Sequence, residues 1–157
     1  MGVIYLELQF GDYLLFKGTD ILSEAIECVT NSKYSHAAFA SADPFHVIEA
    51  TPTGVKINPI NVPSGMYDVF RVPMTYIQKN RLRDYLYSII GTPYNYLEDI
   101  CYLSEKEFGI NIPYSKNSVI CSQIVYIGIK NKARIDSFPK LERIVKPCDL
   151  DFEKYLA

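Results

Sequence analysis

Residues 117–127 have the sequence Asn-Ser-Val-Ile-Cys-Ser-Gln-Ile-Val-Tyr-Ile, which places one cysteine where an apolar, strand-like approach turns into a helix. This pattern predicts that Cys121 lies in the first helical turn. The unpaired backbone N–H groups there, with the positive end of the helix dipole, would favour the thiolate over the thiol. The alternative from this segment alone is a buried cysteine that packs as a small apolar side chain.

The composition predicts one globular domain over residues 1–157. Of the 157 residues, 48% are hydrophobic and 22% are charged, which is enough for a substantial core. The net charge of -2, with Lys and Arg scattered along the chain, disfavours nucleic acid as a partner. We expect a cytoplasmic protein without stable membrane insertion, because no apolar run reaches roughly 18 residues and the N-terminus lacks signal-peptide features. The sequence leaves the oligomeric state open.

The cysteines do not form a metal-binding pattern. Cys28, Cys101, Cys121 and Cys148 are too widely spaced for a Cys-x-x-Cys pair, and only two histidines are present. Zinc sites need clustered Cys and His ligands. We therefore expect free thiols and no metal site.

The spacing of apolar residues predicts an α+β fold, with an antiparallel sheet of about five strands packed against helices. Strands are expected at residues 11–16, 34–40, 47–51, 54–60 and 67–72. Helices are expected at residues 21–29, 75–90 and 97–108, ahead of the helix that carries Cys121. The last residues look irregular and could cover a sheet edge or fray.

A hairpin is the economical connection between the second and third strands. Ser-Ala-Asp-Pro at residues 41–44 supplies the turn residues. If the hairpin is symmetric about Ala42 and Asp43, His36 lies directly opposite Glu49 and their side chains share one face. A slip of one residue would send them to opposite faces. Taken singly, a structural histidine and a solvent-facing glutamate are the ordinary alternatives.

The sequence supplies one candidate for each part of a thiol-based catalytic site. A thiol nucleophile needs a base to accept its proton and a third group to orient that base. Cys121 would attack, His36 would hold the proton and Glu49 would fix the imidazole. These three residue types together predict nucleophilic catalysis more strongly than any one alone.

Five short motifs occur in order along the chain: Gly-Asp-x-x-Leu-Phe (11–16), Thr-x-Ser-x-Tyr-Ser-His-Ala (30–37), Val-Ile-Glu-Ala (47–50), Gly-Thr-Pro-Tyr (91–94) and Cys-Ser-Gln-Ile-Val (121–125). Together they resemble the circularly permuted papain-like amidases, the YaeF/YiiX-like branch of the NlpC-type superfamily. The similarity spans residues 11 to about 128. The order His, Glu, Cys marks the permuted branch, since unpermuted NlpC-type peptidases have the cysteine before the histidine.

This resemblance implies a permuted papain-like fold with the nucleophile cysteine at a helix N-terminus. It implies Cys121 as nucleophile, His36 as base, Glu49 as third member and Tyr94 as the active-site tyrosine near the oxyanion, beside the Cys121 N–H. It implies acyl transfer through a thioester, with no metal or organic cofactor. Ordinary NlpC-type enzymes have Asp-Cys-Ser-Gly where this chain has Ile-Cys-Ser-Gln, a departure that weakens the case for their cell-wall peptide substrates.

We therefore expect a cysteine hydrolase that acts on peptide or other amide bonds. Related permuted members, including lecithin–retinol acyltransferase-like proteins, act on lipid esters and amides. A lipid acyl hydrolase or acyltransferase that uses the same thiol is thus one alternative. A non-catalytic binding module that uses the cleft without turnover is another.

Overall fold

The computed structural model of the protein describes residues 7–18, 33–92, 116–141 and 145–157. The helices expected at residues 21–29 and 97–108 lie outside these ranges, and so do Tyr94, Cys28 and Cys101. Within the described ranges the chain has an α+β architecture with one five-stranded antiparallel sheet. The expected fold class and strand number are confirmed at this level.

The strands match their expected positions to within two residues at each end. They are β1 (Tyr13–Lys17), β2 (Tyr34–Ala40), β3 (His46–Thr51), β4 (Gly54–Pro59) and β5 (Tyr67–Phe70). Their order across the sheet is β4-β3-β2-β1-β5, and each neighbouring pair is antiparallel. The strand β1 starts later than expected because Gly11, with φ +96°, belongs to a turn that Asp12 closes onto the Gln9 carbonyl at 3.0 Å.

The hairpin of β2 and β3 is shifted by two residues from the expected pairing. Phe39 lies opposite Ile48 and Ala40 opposite Val47. Glu49 is therefore not directly opposite His36, and the expected register was wrong. Because the shift is even, the two side chains still share one face of the sheet.

The turn of this hairpin explains the shift. The His46 N–H donates to the Asp43 carbonyl at 3.1 Å, with Pro44 at the second position of the turn, where its fixed φ is favoured. The Asp43 carboxylate accepts the Phe45 N–H at 2.9 Å. The Ser41 N–H then closes the loop onto the His46 carbonyl at 2.9 Å. The hairpin is thus centred between Asp43 and Pro44, one residue later than expected.

Two α-helices lie in the described ranges: α1 (Tyr76–Ile89) and α2 (Lys116–Tyr126). The helix α1 is confirmed. A capping box formed by Thr75 and Gln78 begins it, and Gly91, with φ +85°, follows it in the left-handed conformation that favours glycine. The helix α2 continues as a π-helix over Ile127–Lys132.

The start of α2 corrects one expectation. Cys121 is the sixth residue of the helix rather than a residue of its first turn. Asn117 and Ser118 are already helical, whereas the sequence pattern predicted a loop there. Asn and Ser are common at the start of a helix because such side chains can accept hydrogen bonds from its unpaired N–H groups. The backbone N–H of Cys121 therefore pairs within the helix. Cys121, the expected nucleophile, is therefore not at a helix N-terminus.

The main core lies between one face of the sheet and the helices. Its largest fully buried side chains are Tyr13, Tyr34, Phe39, Phe70, Phe138, Leu15, Ile48, Leu82, Leu86 and Ile129. Gly128 allows the close approach here, since a Cβ at that position would lie 3.0 Å from both Leu82 and Phe39. Neither α1 nor α2 is long and apolar enough to cross a bilayer, within the part of the chain that the structure describes.

The C-terminal residues run beside the outer strand β5. Leu156 forms an antiparallel bridge with Phe70, and the Ala157 N–H donates to the Val69 carbonyl at 2.8 Å. On the inner side of this segment, the Arg71 N–H donates to the Tyr155 carbonyl at 2.7 Å. The last residues thus cover this sheet edge, one of the two outcomes expected from the sequence.

Candidate active site

His36 and Glu49 form the centre of the candidate site. His36 projects from β2 and Glu49 from β3. The Nε2 atom of His36 lies 2.5 Å from the Oε2 atom of Glu49. The Phe16 ring packs at 5.6 Å from the imidazole, centroid to centroid. The side chains of His36 and Glu49 keep 28% and 18% of their surface exposed. His36 and Glu49 are therefore held against each other and remain partly exposed.

Cys121 approaches the same point from α2, which packs across β2 and β3. Its sulfur accepts a hydrogen bond from the Ala37 backbone N–H at 3.3 Å. It also hydrogen-bonds the side chain of His36. Because Glu49 holds Nε2 of the imidazole, Nδ1 is the ring nitrogen left for the sulfur. The three residues singled out in the sequence thus meet, although they lie far apart along the chain.

The electrostatics of the site favour a protonated imidazole. Burial by itself would lower the pKa of His36, because it disfavours the charged ring. The charge of Cys121 and its hydrogen bond, with the hydrogen bond and charge of Glu49, outweigh burial and raise the pKa of His36 to about 10. Burial would likewise raise the pKa of the Glu49 carboxyl, but hydrogen bonds from His36 and Asn58 and the charge of His36 hold it below its usual range.

The position of Cys121 changes the source of support for its sulfur. The helix dipole acts mainly within the first turn, which Cys121 has passed. A strand amide, the N–H of Ala37, takes the place that helix N–H groups were expected to have. The expected oxyanion contact from the Cys121 N–H is also lost, since that group pairs within α2. Tyr94, the other expected oxyanion donor, lies outside the described residues.

A pocket of about 380 Å³ opens beside the imidazole and the carboxylate. Apolar and uncharged polar side chains dominate its wall, with Lys17, His36 and Glu49 as the charged members. The lining residues are Phe16, Lys17, Gly18, Ser35, His36, Val47, Glu49, Asn58, Pro59, Ile60, Asn61 and Val62. Cys121 is only 1% exposed. The pocket is thus open at His36 and Glu49, whereas Cys121 is buried.

Sequence reasoning missed Asn58, which donates from Nδ2 to Oε1 of Glu49 at 2.8 Å. The sequence nevertheless contained a feature that could have placed Asn58 beside Glu49. Thr51 pairs with Gly54 across a two-residue turn, and this turn fixes the register of β3 and β4. In that register, Lys56 lies opposite Glu49, and Asn58 is its diagonal neighbour on the same face.

Comparison with known proteins shows that this chain shares its fold with a solved structure. No protein-family model matches the sequence, and no curated protein matches it. The structure is similar to the crystal structure of yiiX from Escherichia coli O157:H7, described as a metalloprotein of DUF1105, with a TM-score of 0.57. The chain has a YiiX-like fold. The similarity covers 81% of this chain and 67% of that one at 24% sequence identity. At this identity, the YiiX-like relation concerns the fold alone.

Proposed function

We propose that this protein is a cysteine hydrolase of amide bonds that works through a thioester intermediate. The observation that carries the proposal is the position of His36, whose ring is hydrogen-bonded to both the Cys121 sulfur and the Glu49 carboxylate. A base between a thiol and an orienting acid is the arrangement that activates a thiol nucleophile. The proposal includes the permuted papain-like assignment of the YiiX-like fold.

The chemistry follows from the three side chains. The thiol proton of Cys121 moves to His36, and the sulfur attacks the carbonyl carbon of the substrate. His36 then gives its proton to the leaving nitrogen as the carbon–nitrogen bond breaks, which leaves a thioester on Cys121. Water, deprotonated by His36, attacks the thioester and releases the acid and the thiol. Glu49 holds the imidazole in orientation throughout.

Burial of the sulfur sets a requirement on this mechanism. Cys121 is 1% exposed, whereas His36 and Glu49 face the 380 Å³ pocket. A substrate therefore approaches from the side of the imidazole, and the sulfur must become accessible for attack. Reactivity of the thiol in the native protein tests this requirement directly.

The proposed reaction uses no metal ion. The YiiX structure is described as a metalloprotein. In the described ranges of this chain, no group of three or more His, Cys, Asp or Glu side chains is arranged to hold a metal ion. Cys121, His36 and Glu49 are hydrogen-bonded to one another in a row, and we derive no step through a metal.

Alkylation of the native protein tests the proposal. Iodoacetamide is added at neutral pH, and each of the four cysteines is followed by peptide mapping. We expect Cys121 to react faster than the half-buried Cys148, because a thiolate is the reactive form. A His36→Ala variant should slow the labelling of Cys121 by about 10-fold and leave Cys148 unchanged. Labelling of Cys121 no faster than that of Cys148 would sink the proposal.

The pocket favours a second candidate, a lipid acyl hydrolase or acyltransferase that uses the same thiol. Its wall includes the apolar side chains of Phe16, Val47, Pro59, Ile60 and Val62, which could accept an acyl chain. Hydrolysis rates of nitrophenyl esters of increasing chain length separate the two. A rate that rises steeply with chain length supports the lipid substrate, and a flat series supports the amide hydrolase.

A further inference from the structure

Asn58 holds the oxygen of Glu49 that His36 leaves free. It lies on β4, at the edge of the sheet, and donates from Nδ2 to Oε1 of Glu49 at 2.8 Å. His36 contacts the other carboxylate oxygen at 2.5 Å. Both oxygens of the carboxylate are thus fixed, one by the base and one by an amide on the next strand.

The amide side chain of Asn58 contacts the Glu49 carboxylate without neutralising its negative charge. Lys56 lies directly opposite Glu49 in the β3–β4 pairing, yet the hydrogen bonds of the Glu49 carboxylate go to His36 and to Asn58. An ammonium group on the carboxylate would compete with the imidazolium for its negative charge. An amide orients the carboxylate without bringing a charge of its own.

We propose that Asn58 is a positioning residue that fixes the Glu49 carboxylate so that it can orient and charge the His36 imidazole. This inference rests on the proposed function for its catalytic meaning. Asn58 touches neither the nucleophile nor the base and acts through Glu49. The row of bonded side chains then runs from Cys121 through His36 and Glu49 to Asn58.

The surroundings of Glu49 allow the effect to be isolated. The described charged groups that face this carboxylate are His36 on β2, Lys56 on β4 and Lys17, which lines the same pocket from β1. Lys17 is paired with Asp68 at 3.0 Å. Exchanging Asn58 for an uncharged residue of similar shape adds no charged group to this site and removes none.

The test compares Asn58→Leu with Asn61→Leu, a matched exchange in the same pocket. The readout is NMR titration of isotope-labelled histidine, in which His46 serves as an internal reference. Asn58→Leu is expected to raise the pKa of Glu49 and to lower that of His36, while Asn61→Leu and the His46 signal stay unchanged. Labelling of Cys121 by iodoacetamide should slow by about 10-fold, the effect of roughly one lost hydrogen bond to a charged group.

An unchanged His36 titration in folded Asn58→Leu would overturn the inference. If that variant does not fold, Asn58→Ala is read in the same way, since the asparagine is only half-buried at the sheet edge. The titration does not depend on turnover. A shifted His36 pKa with an unreactive Cys121 in the wild type would support the role of Asn58 on Glu49 and refute the hydrolase.

Discussion

His36 and Glu49 lie two residues out of direct register across the β2–β3 hairpin, yet their side chains meet at 2.5 Å. A diagonal pair on one face of a sheet is within reach of long side chains. Glu49 therefore contacts both neighbouring strands. One carboxylate oxygen bonds to His36 on β2, and the other accepts a hydrogen bond from Asn58 on β4.

Replacing the sulfur of Cys121 should change the titration of His36. The Cys121 charge and hydrogen bond are the largest causes that raise the pKa of His36, ahead of Glu49. In Cys121→Ser, whose hydroxyl stays neutral, we expect the pKa of His36 to fall well below about 10. Histidine NMR measures it. A titration that does not move would show that the sulfur and the ring are not coupled.

The stability of the protein should depend on pH through His36. Its pKa rises from 6.5 to about 10 on folding, so the charged ring stabilises the fold fully below pH 6.5 and this contribution is lost as the pH rises toward 10. At pH 6, His36→Asn should lower the free energy of unfolding by about 2 kcal/mol. Urea unfolding of both proteins at pH 6 and 10 checks this. A difference that grows with pH would contradict the assignment.

Gly128→Ala should destabilise the contact between the π-helix, α1 and the sheet. The added methyl group would lie 3.0 Å from Leu82 and Phe39, both of which are fully buried, so these side chains would have to shift to accommodate it. We expect a loss of about 1–3 kcal/mol in the free energy of unfolding, measured by denaturant titration. Gly65→Ala is the control, because its methyl group would meet nothing within 4 Å. Equal stability of the two variants would rule out the tight contact.

Ser122→Ala should loosen α2 from the segment that follows it. The Ser122 hydroxyl is fully buried and donates to the Val145 carbonyl at 2.5 Å. Its removal leaves a buried acceptor without this donor, which costs about 1–3 kcal/mol in thermal or urea unfolding. Ser88→Ala removes a similar bond, to the Tyr85 carbonyl at 2.6 Å, on the exposed face of α1, and should change little. A neutral Ser122→Ala would contradict the expected effect.

Much of the sheet could be predicted from the sequence, because period-two alternation and turn residues act locally. The helix over residues 75–90 was also predicted, and Thr75 and Gly91 set its ends in the structure. The β2–β3 register could not be read with certainty, since the centre of the hairpin depends on which carbonyl accepts the His46 N–H. The face shared by His36 and Glu49 survived this error only because the shift was even.

The site itself was predicted in part. The meeting of Cys121, His36 and Glu49 followed from residue chemistry and from the resemblance to permuted papain-like amidases. The predicted start of α2 was wrong, because polar residues such as those at 117 and 118 occur both in loops and in the first turn of a helix. The Ala37 N–H contact could not be predicted at all, since every backbone amide looks alike in a sequence.

The ring of His36 and the amide of Ala37 belong to consecutive residues of one strand, and both contact the same sulfur. Two consecutive residues of β2 thus fix the position of the Cys121 sulfur. A displacement of α2 along this strand would therefore break both contacts of the sulfur together.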